Sequence, residues 1–344
     1  MPSRTTRRAT LAALFVLGLP AAGSAQGLDL TINHVGLAIG DVPEVTGLRL
    51  NYRDRNLRRV DGMNVTIWIP YDDDDMRGVV RGVALGLPMT GARDIDGLAL
   101  GLFGVGAQNR IRGIGLAPIG LGAGGSLEGI MIGGIGAGTG GTMTGIGIGG
   151  IGLGSGGKMK GLFVGGIGVG SGEDVEGIII GGVGVGAGRD LTGISISGIA
   201  SGAGGDVHGV TIAGIAAGAG GDLTGITIAG IAAGSGGTLR GLTIAGVAAG
   251  APRLRGVALS AIAAGGQDVK GVVFAGAWMR IEKGEFSGVT MSSFNQIKGV
   301  QHGLAIGIVN FAEELHGVQL GLVNIARNNP SGRRVLPVIN WHRN

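Results

Sequence analysis

The sequence predicts an all-β fold: one narrow β-solenoid, a parallel β-helix or β-roll, wound from coils of about sixteen residues. The first observation is a glycine-led unit that recurs at constant sixteen-residue spacing from Gly97 to Gly250, because a fixed short period indicates stacked supersecondary units. The second is the alternation of β-branched and variable residues inside the unit, which is a strand pattern. The third is the presence of at least four glycines per unit, each costing about 1 kcal/mol in a helix interior, which disfavours a helical repeat.

The unit has a fixed pattern when its positions are numbered from the leading glycine. Aliphatic residues occupy positions 2, 4 and 7, and Leu, Met or Val occupies position 15. We expect glycines at positions 6 and 10 to allow tight bends, and the Gly-Gly pair at positions 12 and 13 to form the widest turn. We expect position 4 to form one inward ladder with side chains about 4.8 Å apart. That ladder contains Ile132, Ile148, Ile180, Ile196, Ile212, Ile228 and Ile244.

Residues 1–25 have the pattern of a secretory signal peptide. Three arginines precede an apolar run over residues 11–19, and small residues follow at 23–25. The apolar run is too short to span a bilayer, so we expect cleavage and export to the periplasm, the outer surface or the medium. The chain has no cysteine, which excludes disulfides and thiolate metal sites.

The charge balance does not point to a nucleic-acid partner. The whole chain has 27 basic and 23 acidic residues. Removal of Arg4, Arg7 and Arg8 with the signal peptide leaves 24 basic residues and a net charge of about +1. A net charge this close to zero does not imply a nucleic-acid partner.

Residues 26–96 form an N-terminal region of irregular coils and a cap. Glycines at 36, 47, 62 and 78 indicate coils of unequal length, as terminal repeats often have. Five arginines lie between Arg49 and Arg59, and Asp72–Asp75 form a tetra-aspartate run. We expect a solvated, charged face that protects the open edge of the solenoid. Calcium binding by Asp72–Asp75 is the alternative, although the spacing of an EF-hand loop is missing.

Residues 97–255 hold the regular repeats, and residues 256–344 hold shortened coils and a C-terminal cap. After Gly256 the spacing of the leading glycines varies between fourteen and seventeen residues. Asn310 and Asn324 occupy equivalent places in neighbouring units. We expect their amides to form a hydrogen-bonded ladder.

The C-terminal units resemble a known family over about residues 300–344. The segments that begin at Gly303 and Gly317 read G-[LV]-x-[IL]-G-[LI]-V-N, and Leu336–Trp341 closes the chain. This pattern resembles the exported surface-repeat proteins of bacteria, of the type first catalogued in leptospires. The resemblance implies a surface or periplasmic location and supplies no catalytic residues.

No motif in the sequence predicts an enzyme, a cofactor or a metal site. The glycine-rich strings lack the strand and helix context of nucleotide-binding loops. His302 and His316 lie one coil apart and can stack, but no third metal ligand shares their file. A coil of sixteen residues also leaves no cavity for a small-molecule substrate. We therefore expect a protein without enzymatic activity.

The expected function is a structural or interaction scaffold for adhesion or self-assembly, whose partner is the protein itself or a large surface ligand. The expected contact face is a smooth row of small side chains with a parallel file of hydroxyls, which would serve an ice- or crystal-binding solenoid in the alternative reading. Membrane association stays open but is disfavoured, because polar turns every sixteen residues are unsatisfied in lipid. The face comprises Ala213, Ala229 and Ala245 at position 5, Ala216, Ala232 and Ala248 at position 8, and Thr211, Thr227 and Thr243 at position 3.

Overall fold

The computed structural model describes residues 27–69 and 78–342. Within them the protein is all-β, with parallel strands stacked about sixteen residues apart, which confirms the predicted β-solenoid. The predicted signal peptide and Asp72–Asp75 lie outside the described residues. In the described part of the chain, no helix is long and apolar enough to cross a membrane.

The strands before the regular coils and in their first half have the following bounds. They are β1 (Leu28–Ile32), β2 (Val35–Ile39), β3 (Glu44–Asn51), β4 (Arg59–Thr66), β5 (Val79–Gly86), β6 (Met89–Gly101), β7 (Gly104–Ala117), β8 (Gly120–Ala123), β9 (Ser126–Gly133), β10 (Gly136–Thr139), β11 (Thr142–Gly149), β12 (Gly152–Ser155), β13 (Met159–Gly165), β14 (Gly168–Ser171), β15 (Val175–Gly181) and β16 (Gly184–Ala187).

The remaining strands continue the same alternation of longer and shorter segments. They are β17 (Leu191–Ser197), β18 (Ala200–Ala203), β19 (Val207–Ala213), β20 (Ala216–Ala219), β21 (Leu223–Ala229), β22 (Ala232–Ser235), β23 (Thr238–Ala245), β24 (Ala248–Gly250), β25 (Arg253–Ser260), β26 (Ala263–Gly266), β27 (Asp268–Ile281), β28 (Glu285–Ala326) and β29 (Val335–His342). A 3₁₀ turn at Ser331–Arg333 precedes β29.

Each regular coil contains one longer strand and one shorter strand. The longer strand β11 pairs in parallel with β9 and β13, and the shorter strand β12 pairs with β10 and β14. The register places every residue beside its equivalents sixteen positions before and after it, as Ile146 lies beside Ile130 and Leu162. Like side chains therefore stack in continuous files along the solenoid axis.

The leading glycine forms a corner in the middle of the longer strand. Gly145 has a φ of +114°, and a Cβ added to it would lie 2.2 Å from the carbonyl oxygen of Gly129 in the preceding coil. Only glycine adopts this conformation without strain. The leading glycines from Gly97 to Gly303 all have positive φ. In the N-terminal region the corner is at Gly82, and the prediction of a coil start at Gly78 was wrong.

Position 10 does not bend as the sequence reading expected. Gly154 lies inside the short strand β12, and a Cβ added to it would meet no atom within 4 Å. The tight turns lie instead at positions 6–7 and 12–13, where bends separate the strands. The Gly-Gly turn predicted at positions 12 and 13 is thus in the expected place.

The interior is narrow and is filled mainly by positions 3, 9 and 15. The buried residue at position 3 is Met131, Phe163 or Ile179 in the early coils and Thr211 or Thr227 in the later ones. The space is tight at position 5, because a Cβ added to Gly133 would lie 2.0 Å from the carbonyl oxygen of Gly136. Only limited side-chain volume fits inside each coil.

Facing interior positions compensate for one another in volume. Position 3 is glycine in the coils where position 9 is leucine, as in Gly115 with Leu121 and Gly147 with Leu153. A Cβ added to Gly147 would also lie 2.9 Å from the ring of Phe163 in the next coil. Phe163 fits inside because Gly147 leaves room for its ring, which is the close packing expected of a protein interior.

The C-terminal coils have a polar interior, and the predicted asparagine ladder is present. Asn295 donates a hydrogen bond to Asn310 at 2.7 Å, and Asn310 donates one to Asn324 at 2.7 Å. All three side chains are fully buried. The ladder satisfies polar groups that would otherwise be costly to bury.

Antiparallel strands close both ends of the parallel stack. At the N-terminal end β1 pairs with β2, and at the C-terminal end β29 pairs with the last part of β28. These strands cover edges that parallel pairing would leave open.

Candidate interaction surface

Three files of aliphatic side chains cover one outer side of the solenoid and its adjacent corner. Positions 2 and 4 project from the longer strand, and position 7 projects from the turn that follows. We call these residues of the nine coils from Gly113 to Gly241 the isoleucine surface. It comprises Ile114, Ile130, Ile146, Leu162, Ile178, Ile194, Val210, Ile226 and Leu242 at position 2; Leu116, Ile132, Ile148, Val164, Ile180, Ile196, Ile212, Ile228 and Ile244 at position 4; and Ile119, Ile135, Ile151, Ile167, Val183, Ile199, Ile215, Ile231 and Val247 at position 7.

The isoleucine surface faces solvent. Ile178 at position 2 is 42% exposed, and Ile167 at position 7 is 53% exposed. Each side chain loses part of its surface to its neighbours in the same file, since equivalent residues are paired by register. The outer half of each side chain has no cover within the described chain. Contiguous apolar patches of more than a few hundred Å² are rare on monomeric proteins and mark interaction sites.

Local backbone geometry explains why these residues point outward. The corner at the leading glycine is followed by strict alternation, so positions 2 and 4 share one side and positions 3 and 5 the other. In β21 the buried residues are Leu223, Thr227 and Ala229, while Ile226 and Ile228 are exposed. The alternation therefore places the aliphatic residues at positions 2 and 4 outside, whatever residue fills position 3.

The inner and outer sides of the longer strand are reversed relative to the prediction. The predicted inward ladder at position 4 is an outer file, with Ile212 37% exposed and Ile148 41% exposed. It follows that Ile212→Asp leaves the new carboxylate at the solvent boundary instead of in the core. The severe destabilisation that an inward Ile212 implied is therefore not expected.

Six of the nine predicted contact residues are interior. They are Ala213, Ala229 and Ala245 at position 5 and Thr211, Thr227 and Thr243 at position 3, each at most 3% exposed. They cannot form a contact face, because their side chains face the interior of the solenoid. The threonine file offers no row of hydroxyls to an ice crystal, so the observation behind the ice-binding alternative is lost.

The three alanines at position 8 do lie on the outer side. Ala216, Ala232 and Ala248 are partly exposed and line a shallow groove of about 660 Å³ on the face of the short strands. The groove ends at Trp278, over which the Arg280 guanidinium stacks at 5.3 Å from the ring centroid. Arg280 also forms an ion pair with Glu282 at 2.9 Å. The groove is a smooth channel with one polar end.

Some oppositely charged residues of neighbouring coils form ion pairs along the outer turns. Arg112 and Glu128 form an ion pair at 2.8 Å, and Lys160 and Glu176 form one at 3.1 Å, in both cases across sixteen residues of sequence. The hydrogen bond from Arg112 lowers the pKa of the Glu128 carboxyl. Because each of these pairs joins opposite charges, the file that borders the isoleucine surface keeps only the positive charge of the exposed Arg240.

The Asp174 carboxylate at one of these turns contacts two cationic side chains, Arg189 and Lys158. Arg189 donates hydrogen bonds to it at 2.8 and 3.1 Å, and Lys158 forms an ion pair with it at 2.8 Å. These contacts, that of Arg189 first, hold the pKa of the Asp174 carboxyl well below its ordinary value. The three residues come from three successive coils, so this cluster ties the coils together at one turn.

The predicted stacking of two histidines is present. The rings of His302 and His316 are parallel within 15°, with centroids 5.1 Å apart, and the His342 ring meets His316 edge-on at 5.8 Å. His302 contacts Glu285 at 3.1 Å and His316 contacts Glu314 at 2.8 Å. Over residues 27–69 and 78–342, no group of three or more His, Cys, Asp or Glu side chains is arranged to hold a metal ion.

We predicted that the N-terminal arginine cluster is solvated, but one of its arginines is buried. Arg49 is fully buried inside the first coils, where it contacts Asp41 at 2.8 Å, Asn64 at 2.8 Å and Asp54. The partners neutralise the guanidinium and satisfy its donors, which a buried charge requires. Arg49 is therefore a core residue of the N-terminal cap.

The isoleucine surface was the feature that sequence reasoning missed. The available signal was the volume compensation between positions 3 and 9, which shows that both positions share one interior. Positions 2 and 4 show no such compensation and stay bulky in every coil.

Comparison with protein-family models, curated proteins and solved structures found no match to this chain.

Proposed function

We propose that this protein is an exported, non-enzymatic scaffold that uses the isoleucine surface as its contact surface. The observation that carries the proposal is the uninterrupted run of exposed or half-buried aliphatic side chains on the outer side of nine coils. Leaving this area in water is unfavourable by roughly 25 cal/mol per Å², so covering it supplies a driving force for association.

The rigid solenoid supports a scaffold in a second way. Every strand of the regular coils is hydrogen-bonded to equivalents on both sides, so the spacing of the outer files is held constant. A surface of this kind favours a large, flat partner over a small molecule, because it is convex or flat and lacks a deep pocket. The export pattern of residues 1–25 supports a location outside the cytoplasm.

Photocrosslinking in the cells that make the protein tests the contact surface. A photoreactive phenylalanine analogue at Ile180 or Ile212 is expected to form covalent adducts with whatever covers the surface. The matched control places the same analogue at Thr192, which is exposed and lies around the corner from the surface.

Adducts from the two isoleucine positions, with few from Thr192, support the proposal. The absence of adducts from both isoleucine positions contradicts it, since an uncovered surface makes no contact. Fractionation of the same cells tests export separately: recovery of the chain in the cytoplasm with residues 1–25 attached contradicts the proposed location.

A further inference from the structure

We infer that the partner that covers the isoleucine surface is a second copy of this chain, packed face to face about a twofold axis. The inference rests on the proposed function, because it names the partner of the same surface. Three properties of the surface support it: its area, its repeat and its border.

The area matches what a stable dimer requires. Nine coils at about 4.8 Å each give a length of roughly 43 Å, and five residues at about 3.3 Å give a width of roughly 16 Å. The product, on the order of 700 Å², is close to the roughly 800 Å² that each partner contributes to a standard protein–protein interface. The surface is also free of charged residues, as the centre of an interface between identical subunits tends to be.

The repeat of the surface favours an identical partner. Its side chains stand in rows across the solenoid axis, one row per coil, fixed by the pairing register. Rows of one copy can seat between rows of another over the full length only if both have the same spacing. A second copy has that spacing by construction, and its rows stay in step over all nine coils.

The border of the surface argues for a protein partner over a lipid bilayer. Binding to anionic membranes uses a basic rim, and membrane interfaces are enriched in Trp and Tyr. Here the border carries both signs: Arg112 pairs with Glu128, Lys160 pairs with Glu176, and Arg240 adds one positive charge, so no basic rim is formed. The 27 residues of the surface include no aromatic residue. A nearly neutral border also places no strong repulsion between two copies.

Sedimentation of the purified protein tests the inference. The parent is expected at twice the mass of the 34.0 kDa chain, less any cleaved N-terminal segment. The surface variant combines Ile146→Glu, Ile178→Glu and Ile226→Glu, which face solvent in the single chain and would be buried without partners in the dimer. We expect the dissociation constant to rise by at least about 100-fold, because such interfaces tolerate unpaired buried carboxylates poorly.

The control variant introduces the same charge beside the surface. It combines Thr144→Glu, Thr192→Glu and Thr224→Glu. Thr144 and Thr224 each lie two residues before a substituted isoleucine, and Thr192 lies about one coil from Ile178. All three are around the corner formed by the leading glycine. This variant is expected to remain a dimer. If the glutamate surface variant loses its β-sheet circular dichroism, Ile→Thr at the same three positions replaces it, and the same loss of mass is expected.

Two outcomes overturn the inference. One is a parent that sediments as a single chain at all concentrations up to the solubility limit. The other is a folded surface variant that dimerises as strongly as the control variant with glutamate at positions 144, 192 and 224. A monomeric parent that still gives photocrosslinks to another macromolecule, or floats with phosphatidylcholine vesicles, refutes the second copy and leaves the proposed contact surface standing. A monomeric parent with no adducts refutes both.

Discussion

The early and late regular coils differ inside and agree outside. In the early coils, which begin at Gly113 to Gly177, the interior holds large residues such as Met131, Phe163 and Ile179. In the late coils, which begin at Gly193 to Gly241, positions 3, 5 and 9 hold serine, threonine and alanine, while Val207, Leu223 and Leu239 stay buried at position 15. The three outer files remain Ile, Leu or Val throughout both blocks.

This difference shows that the outer files do not depend on what fills the interior. The parallel register is the same in both blocks, as in the pairings of β13 with β15 and β19 with β21. Backbone hydrogen bonds and corner glycines therefore fix the coil, while interior side chains adapt to the space. The constancy of the outer aliphatic residues needs a separate explanation, and association through the isoleucine surface provides one.

The largest expected effect is at the corner glycines, which should be equally sensitive in both blocks. Gly145→Ala and Gly225→Ala each place a Cβ about 2 Å from the carbonyl oxygen of the preceding corner glycine, at positive φ. The strained conformation alone costs about 1–3 kcal/mol, and the clash adds to it. We expect a large fall in the denaturation midpoint, or failure to fold. Gly154→Ala, which meets no atom within 4 Å, serves as the control and should change stability little.

The interior of the early block should be more sensitive to truncation than that of the late block. Phe163→Ala removes a fully buried ring and should lower the free energy of unfolding by about 3–5 kcal/mol. Thr227→Ala, at the equivalent position of a late coil, removes much less volume and should cost about 1 kcal/mol. Equilibrium urea denaturation measures both, and equal losses would contradict a difference in interior packing.

Neighbouring residues of β15 separate the inner side from the outer side. Ile179 is fully buried, whereas Ile180 belongs to the isoleucine surface. Ile179→Thr gives an early coil the interior of a late one and should cost about 2 kcal/mol, since it leaves a cavity and a buried hydroxyl. Ile180→Thr should cost less than about 1 kcal/mol in the single chain. A larger loss at Ile180 than at Ile179, measured in the same assay at a concentration where sedimentation shows single chains, would restore the inward assignment of position 4.

The smallest expected effect is electrostatic and confined to one turn of the early block. Arg189→Ala removes the main hydrogen-bond donor to Asp174 and should raise the pKa of that carboxyl toward its ordinary value. Because the folded pKa is lowered, the contribution to stability is present above about pH 4, the unfolded value, and is lost as pH falls through the folded pKa. NMR titration of the Asp174 carboxyl measures the shift. Lys160→Ala, whose ammonium pairs with Glu176 instead, should leave the Asp174 pKa low.

The sequence was sufficient to predict the solenoid but not the orientation of its strands. The period, the Gly-Gly turns and the asparagine ladder follow from residue types that repeat at fixed spacing. Inside and outside could not be assigned from hydrophobicity, because aliphatic residues occupy both sides of the longer strand. Ile179 is fully buried, while its neighbours Ile178 and Ile180 lie on the outer side. The corner at the leading glycine sets which side faces in, so Thr211 is buried while Ile212 is exposed.

The candidate surface could be predicted only in part. Ala216, Ala232 and Ala248 do lie on an outer side, but they line a shallow groove instead of a flat face. The burial of Arg49 could not be foreseen, because its partners Asp41 and Asn64 come from different coils. Polar clusters of this kind depend on tertiary packing, which residue spacing alone does not encode when coil lengths vary.

Under the proposed association through the isoleucine surface, strict sixteen-residue stacking would make the strength of binding depend on the number of repeats in the gene. Removal of Gly209–Thr224 would bring the coil of Gly193 onto that of Gly225, whose residues are nearly the same, so the chain should still fold. The rod would shorten by about 4.8 Å and lose one row of aliphatic side chains. Duplication of the unit would add one row. Recombination between near-identical repeats can thus change binding affinity in small, regular steps without a single new residue type.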